Sequence, residues 1–338
     1  MTIKSFIKMF RHFLNLKPTS GQIINAMKYS SHYFTNSFPY YLNYNPISVG
    51  FYITYKCNIK CPHCFSTAIN KKEYLQETMS LEEFESIVTH RNLIDTFRVS
   101  FVGGEPLLHP DLFKMIELCT RHQKLTMFPS NGLVVNERLD EFKKTSLTTI
   151  QISLYDNYIE KQMKNAALIR KANPGIEVSL SRIVTKERES YLFMEEVIKM
   201  AKGLGLENIC FQNFVAKDKT HSHLSIYEED EDVLQYLKEI KSKYGREFNI
   251  LFPAPLSKNA GWRFCYDFYT VVFVRKGGVI TPCSTVVPPY KMPQTIYDDN
   301  FWNTKSFLDL RKNHNSTPPF DSLCDFCYKS ARYTRAFI

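Results

Sequence analysis

Cys57, Cys61 and Cys64 stand in the stretch Cys57-Asn58-Ile59-Lys60-Cys61-Pro62-His63-Cys64, separated by three residues and then by two. Iron–sulfur clusters are ordinarily held by four cysteines. A compact loop with three therefore leaves one iron of a four-iron, four-sulfur cluster open, either to a remote residue or to a ligand that is not protein. Structural zinc takes cysteine pairs two to four residues apart with a second pair elsewhere, and Cys324-Asp325-Phe326-Cys327 near the end of the chain has that form. On the triplet alone, cluster, zinc and plain core thiols all stand.

A second motif narrows the choice. Gly103-Gly104-Glu105-Pro106 ends the next β-rich run. Two glycines let a strand edge approach a ligand without Cβ interference, and exposed backbone and a carboxylate can accept hydrogen bonds from an ammonium group. Alone this is a turn signal; one strand downstream of the triplet it is specific. Together the two motifs resemble the radical S-adenosylmethionine (radical SAM) superfamily.

The resemblance implies that Cys57, Cys61 and Cys64 hold a [4Fe-4S] cluster and that SAM chelates the unique iron through its amino and carboxylate groups. An electron from the cluster then cleaves SAM to a 5′-deoxyadenosyl radical. Gly103, Gly104, Glu105 and Pro106 would bind the methionine amino group. His63 holds the position before the third cysteine, where the family usually has Phe, Tyr or Trp near the adenine; its ring can still stack, and an exposed loop imidazole is the alternative. By position, Ser130, Asn131, Ser153 and Arg182 resemble contacts to the SAM ribose and carboxylate, for which arginine is apt. A serine facing a neighbouring strand and an arginine in a surface pair are the plainer readings.

The elements that must position these residues are legible as patterns. From residue 46 the chain alternates β-rich runs with helical ones, the signature of βα units and a parallel sheet. Strands are expected at 49–55, 97–102, 125–128, 149–154, 177–184 and 208–211. Helices are expected from Ser80, where Ser80 and Glu83 form a capping box, and near 110–122, 136–144, 157–172 and 191–204. The triplet thus follows the first strand, at the C-terminal edge where α/β sheets place ligands. Six such units resemble the partial TIM-like barrel, (β/α)6, of the radical SAM core over roughly residues 46–215. The expected organisation is an N-terminal helical extension over 1–45, a radical SAM core over 46–250 and an auxiliary region over 251–338.

In that last region Tyr269–Arg275 and Val279–Pro282 flank Gly277-Gly278 and read as a β-hairpin. Cys265, Cys283, Cys324 and Cys327 surround it, and the set resembles the shortened SPASM domain, called a twitch domain, which binds one auxiliary [4Fe-4S] cluster. Full SPASM domains carry seven or more cysteines, and here only four follow residue 260. Four ligands complete one cluster; zinc held by the same four thiolates is the alternative. Of the other two cysteines, Cys119 reads as a small buried apolar residue on a helix. Cys210, on the sixth strand, is either core or a hydrogen-atom donor to a substrate radical, a role the resemblance allows.

Composition bounds the rest. The chain has 338 residues, 44% of them hydrophobic, and 9 cysteines. No apolar run is long enough to cross a membrane, and Lys4, Lys8, Arg11 and His12 interrupt the N-terminal apolar residues, so no signal peptide is expected. The expected location is the cytoplasm, where cysteines serve as ligands and thiols rather than disulfides. The net charge of +9 is scattered rather than gathered in a run, so no nucleic-acid partner is expected. Ile3, Phe6, Ile7, Phe10, Phe13 and Leu14 form a helical stripe that packs on its own domain or touches a membrane surface. The resemblance implies a flavodoxin or ferredoxin as electron donor. Its substrate classes are peptides or proteins under oxidative maturation, and small molecules such as sugars, aminocyclitols or cofactor precursors; a non-catalytic metal scaffold is the remaining reading.

Overall fold

The computed structural model describes residues 14–35, 37–66, 69–217, 219–257, 265–284, 292–314 and 327. Cys324 and most of the N-terminal stripe lie outside them. Among the described residues one sheet contains β1 (Ser48–Thr54), β2 (Arg98–Gly103), β3 (Leu125–Ser130), β4 (Thr149–Ser153), β5 (Glu177–Val184), β6 (Asn208–Asn213), β7 (Asn249–Leu251), β8 (Val271–Val274) and β9 (Ile280–Thr281). Their order is β7-β6-β5-β4-β3-β2-β1-β8-β9. Every pairing is parallel except β8 with β9. The principal helices are α1 (Ser20–Thr35), α2 (Leu81–Val88), α3 (Leu112–Arg121), α4 (Leu139–Lys144), α5 (Ile159–Ala172), α6 (Arg188–Gly203), α7 (Glu231–Tyr244) and α8 (Lys305–His314). No helix among the described residues is long and apolar enough to cross a membrane.

The six expected βα strands are present within one or two residues of their expected ends. Alternation decides what each face does. Val49, Phe51 and Ile53 of β1 are buried under the helices, with the Phe51 ring 4.7 Å from Phe84 of α2. Gly50, Tyr52 and Thr54 point the other way, into the barrel. On β4 to β6 the helix-facing set is apolar (Ile150, Ile152, Leu180, Ile209, Phe211) except for Arg182, whereas the inner set is polar and includes Gln151, Ser153, Ser179, Ser181, Cys210 and Gln212. Ser80 caps α2 by accepting from Glu83 N at 3.2 Å. The other half of the expected capping box is redirected: the Glu83 carboxylate accepts from Gly277 N at 2.5 Å.

Two features depart from the sequence reading. A seventh parallel strand, β7, extends the sheet beyond the expected six; three residues give too little alternation to announce a strand. The hairpin does form, turning through Gly277 and Gly278 at φ of 77° and 72°. Its first strand starts later than expected, because Asp267–Thr270 is a helical turn. That strand is not confined to a separate sheet, since β8 pairs in parallel with β1. Val271-Val272-Phe273-Val274 is apolar throughout, the composition of a strand buried on both faces.

The hydrophobic core is continuous from Leu42 to Leu310 and includes Cys265 and Cys283. Arg311 of α8, fully buried, binds the C-terminal part to the rest. It donates to Phe268 O at 3.0 Å, Trp302 O at 2.8 Å and Tyr40 O at 2.9 Å, and lies 4.6 Å over the Trp302 ring.

Candidate metal and cofactor site

The cysteine loop leaves β1 at its C-terminal end and is held by side-chain amides. Asn70, at φ 57°, folds back on the first cysteine. Its Oδ1 accepts from Cys57 N at 3.0 Å and its Nδ2 donates to Cys57 O at 2.8 Å. Cys64 N donates to Cys61 O at 3.1 Å, closing the turn between the last two cysteines. All three thiols are free and half-buried.

Burial raises the Cys57 and Cys61 thiols above the ordinary cysteine value. The Ile59 backbone lowers Cys57 in part and the Tyr155 hydroxyl lowers Cys61. The charges of Glu105, then of Cys61 and Cys64, raise Cys57 further, so negative charge gathers around the first sulfur. A cationic metal core would relieve that repulsion by holding the thiolates outright. Among the described residues no three His, Cys, Asp or Glu side chains gather as ligands of a single ion. Three thiols on one loop match the ligand number of a four-iron cluster with one iron left open, whereas a structural zinc would need a fourth protein ligand. The donor set fits the cluster.

Gly103 and Gly104 also meet a constraint from within the fold. A Cβ on Gly103 would strike Thr54 O, and one on Gly104 would strike Lys56 O. What approaches this edge is the backbone of β1 as it enters the cysteine loop. Gly104 N donates to Thr54 O at 2.7 Å and Glu105 N to Lys56 O at 2.8 Å. The motif therefore docks the end of β2 on the base of the loop.

Glu105 is a buried carboxylate. It is 2% exposed, and it accepts from Leu107 N at 3.1 Å, Ser130 Oγ at 2.8 Å and Asn131 N at 2.7 Å. Ser130 Oγ in turn accepts from Gly132 N at 2.9 Å. Burial pushes the Glu105 carboxyl up to about 7, against the pull of its donors at Asn131, Ser130 and Leu107. An ionised carboxylate offers about four acceptor positions, so Oε2, with one donor, keeps room for another. Pro106 is buried and starts the single turn Pro106–Leu108 that Glu105 caps.

Asn131 links this hub to the loop, its Nδ2 donating to Asn58 Oδ1 at 2.7 Å. His63 stacks on Tyr155 at the end of β4, with ring centroids 5.7 Å apart and planes at 16°. Burial, and then the charges of Lys217 and Arg182, lower the His63 pKa, which favours a neutral ring. Tyr155 escaped the sequence reading, as did Asn70. The signal for Tyr155 was an aromatic two residues past a strand serine at the ligand-bearing edge.

A cleft of about 670 Å³ opens beside His63 and Tyr155 and runs over the ends of β4, β5 and β6. Leu154, Ile183, Phe193, Phe214 and Val215 supply its apolar lining, and Asp156, Glu187, Glu189, Arg182 and Lys217 its charges. Arg182 is buried, ion-paired with Asp156 and 4.8 Å over the Phe193 ring; its Nε has no hydrogen-bond partner among the described residues. It is therefore neither a surface pair nor a wholly free cation. Ser153 lies on the inner face beside the Tyr155 hydroxyl. Cys210 is half-buried on the inner face of β6, where burial raises its thiol, and it does not line the cleft. Cys119 is fully buried in α3.

A parallel α/β sheet bearing a three-cysteine loop on the C-terminal edge of its first strand defines a metal- and cofactor-dependent class of α/β enzymes. Residues 51–223 match the Radical SAM superfamily, and the chain belongs to it. As a member it uses a [4Fe-4S] cluster and SAM. GTP 3′,8-cyclase of Clostridium botulinum is 31% identical over 146 residues, 41% of this chain and 44% of that protein. Mycofactocin maturase MftC of Mycobacterium ulcerans is 29% identical over 110 residues, 32% of this chain and 29% of that protein. The chain thus matches less than half the length of these curated relatives. Among solved structures, Streptococcus suis SuiB bound to S-adenosylmethionine is similar over 89% of this chain and 74% of its own, with a TM-score of 0.62 at 18% identity. Native anSMEcpe with bound AdoMet is similar over 86% of this chain and 88% of its own, with a TM-score of 0.61 at 18% identity. These likenesses carry the fold, a mixed α/β partial barrel.

Proposed function

We propose that this chain is a radical SAM enzyme that oxidatively modifies a peptide or protein. Cys57, Cys61 and Cys64 hold the SAM-binding cluster, and Cys265, Cys283, Cys324 and Cys327 hold an auxiliary [4Fe-4S] cluster. The observation that carries the peptide reading is the likeness to SuiB, which extends through the C-terminal region and includes a form bound to precursor peptide SuiA, covering 91% of this chain. MftC, a maturase, points the same way.

When bound, the cluster and SAM supply one-electron cleavage of SAM and hydrogen-atom abstraction from an unreactive C–H bond. The chain's own residues supply position and shelter. The Gly103–Glu105 edge and Oε2 of Glu105 meet the methionine amino group, Ser130, Asn131 and Ser153 frame the ribose, and His63 with Tyr155 offers rings to the adenine. Arg182 offers its unpartnered Nε to the carboxylate, and the apolar side chains of the cleft exclude water. Cys210, on the inner face, would act as a hydrogen-atom donor only in a redox-neutral outcome, because returning hydrogen to the substrate radical cancels the oxidation. Cys265, Cys283 and Cys327 are buried, which fits an enclosed electron carrier rather than a second open site.

The 31% identity to GTP 3′,8-cyclase supports a second reading, modification of a small molecule. Anaerobic reconstitution with reductant and SAM tests both. About eight irons per chain, 5′-deoxyadenosine, and a two-hydrogen mass loss in a short peptide encoded beside the gene are expected. Zinc with little iron overturns the clusters; a modified nucleotide or sugar with an unaltered peptide overturns the peptide reading.

A further inference from the structure

Gln162 lies on α5, fully buried, on the same helix face as Met163, Ala166 and Ile169. Apolar residues are the rule at such positions, and a buried amide is kept only where its groups are paired. Both groups of Gln162 are paired. Its Oε1 accepts from Tyr155 N at 2.8 Å, and its Nε2 donates to Asn131 O at 2.9 Å.

These two partners are the residues through which β3 and β4 reach the cysteine loop. Asn131 does so by its bond to Asn58, and Tyr155 by its stack on His63. The backbone pairing of β3 with β4 ends at Ser130 opposite Ile152. Beyond that point one side-chain amide replaces the ladder. Asn165, one turn further along α5, donates to Gly132 O at 2.7 Å. It is the natural control, since it grips the same loop without joining β3 to β4.

We propose that Gln162 is a positioning residue for the SAM site: it sets the spacing between Asn131 and Tyr155, and through them the seat of the cysteine loop against the cofactor cleft. The proposal rests on the assignment of the SAM-binding cluster to the triplet. Groups bonded directly to metal ligands change affinity or activity by about 10–100-fold when removed, and Gln162, acting one residue further out, belongs at the lower end of that range.

The test compares reconstituted full-length Gln162→Leu and Asn165→Leu enzymes at matched cluster content. The readouts are the change in the electron paramagnetic resonance spectrum of the reduced cluster as SAM is titrated, and KM and kcat for uncoupled reductive cleavage of SAM. Gln162→Leu is expected to raise KM for SAM about tenfold or more, with a smaller change in kcat and an altered SAM-bound spectrum; Asn165→Leu is expected to lose comparable thermal stability with SAM affinity near wild type. Gln162→Glu keeps the acceptor for Tyr155 N and nearly the same shape, and is expected to fall between. Equal SAM affinities in Gln162→Leu, or in Gln162→Glu should the leucine variant not fold, and Asn165→Leu overturn the proposal alone. A SAM-responsive cluster retained in the Cys57→Ala/Cys61→Ala/Cys64→Ala variant overturns the assignment and the proposal with it.

Discussion

The cysteine loop and the C-terminal cysteines occupy opposite environments. Cys57, Cys61 and Cys64 are half-buried on a loop held by the side chains of Asn70 and Asn131. Cys265 and Cys283 belong to the continuous hydrophobic core, at 6% and 8% exposure. A site that must admit a ligand cannot be walled in by aliphatic packing, so its backbone is restrained by hydrogen bonds instead. A site that only passes electrons gains from enclosure. Access, more than ligand number, separates the two regions.

Replacing the triplet with alanine should have the largest effect. Formation of 5′-deoxyadenosine is expected to fall to background while thermal stability of the metal-free protein changes little, because the loop contributes little to the core. A large drop in melting temperature would break the contrast. Replacing Cys265 and Cys283 with serine should do the reverse. Iron is expected to fall from about eight to about four per chain, the melting temperature to drop as hydroxyls enter the core, and uncoupled SAM cleavage to persist.

The third test concerns Glu105, the buried acid on the open side. Its folded value of about 7 lies above the ordinary 4.5, so the unfolded chain ionises first. The contribution to stability is fully present below about pH 4.5 and is lost as pH rises through about 7. Urea unfolding of the metal-free protein should show a loss of up to about 3 kcal/mol across that window, absent in Glu105→Gln. Equal pH slopes would place the carboxyl in water and remove the hub.

The smallest effect is expected at the bond between the two regions. Arg275, at the start of the hairpin turn, holds Glu77, which lies between the cysteine loop and α2, with contacts of 2.6 Å and 2.8 Å. Glu77 is partly exposed, so Glu77→Gln should cost about 1–2 kcal/mol by thermal unfolding. It should leave iron content unchanged; loss of iron from one set only would show which region depends on the link.

The open side was the more legible in sequence. The triplet, Gly103 to Pro106 and the β periods leave direct traces, because spacing and alternation are local. The contacts within them were less so: Gly103 and Gly104 are fixed by contact with β1, and Glu105 is buried among donors from the end of β3. Tyr155 left only a faint signal in its place past a strand serine, and Asn70 and Gln162 left none, since an amide acquires its role from partners that only the fold brings to it. β8 looked like half of a local hairpin; only its pairing with β1, more than two hundred residues earlier, makes it part of the barrel sheet.

That pairing carries a consequence in time. β1, the strand that ends in the cysteine loop, lies between β2 and β8, and β8 is among the later strands to be synthesised. At about 5–20 residues per second on the ribosome, the gap between Ser48 and Val271 corresponds to roughly 10–45 s during which one edge of β1 has no partner. Iron delivered in that interval would meet a loop whose supporting strand is incomplete, so productive cluster insertion is expected to follow release of the finished chain rather than to accompany its synthesis.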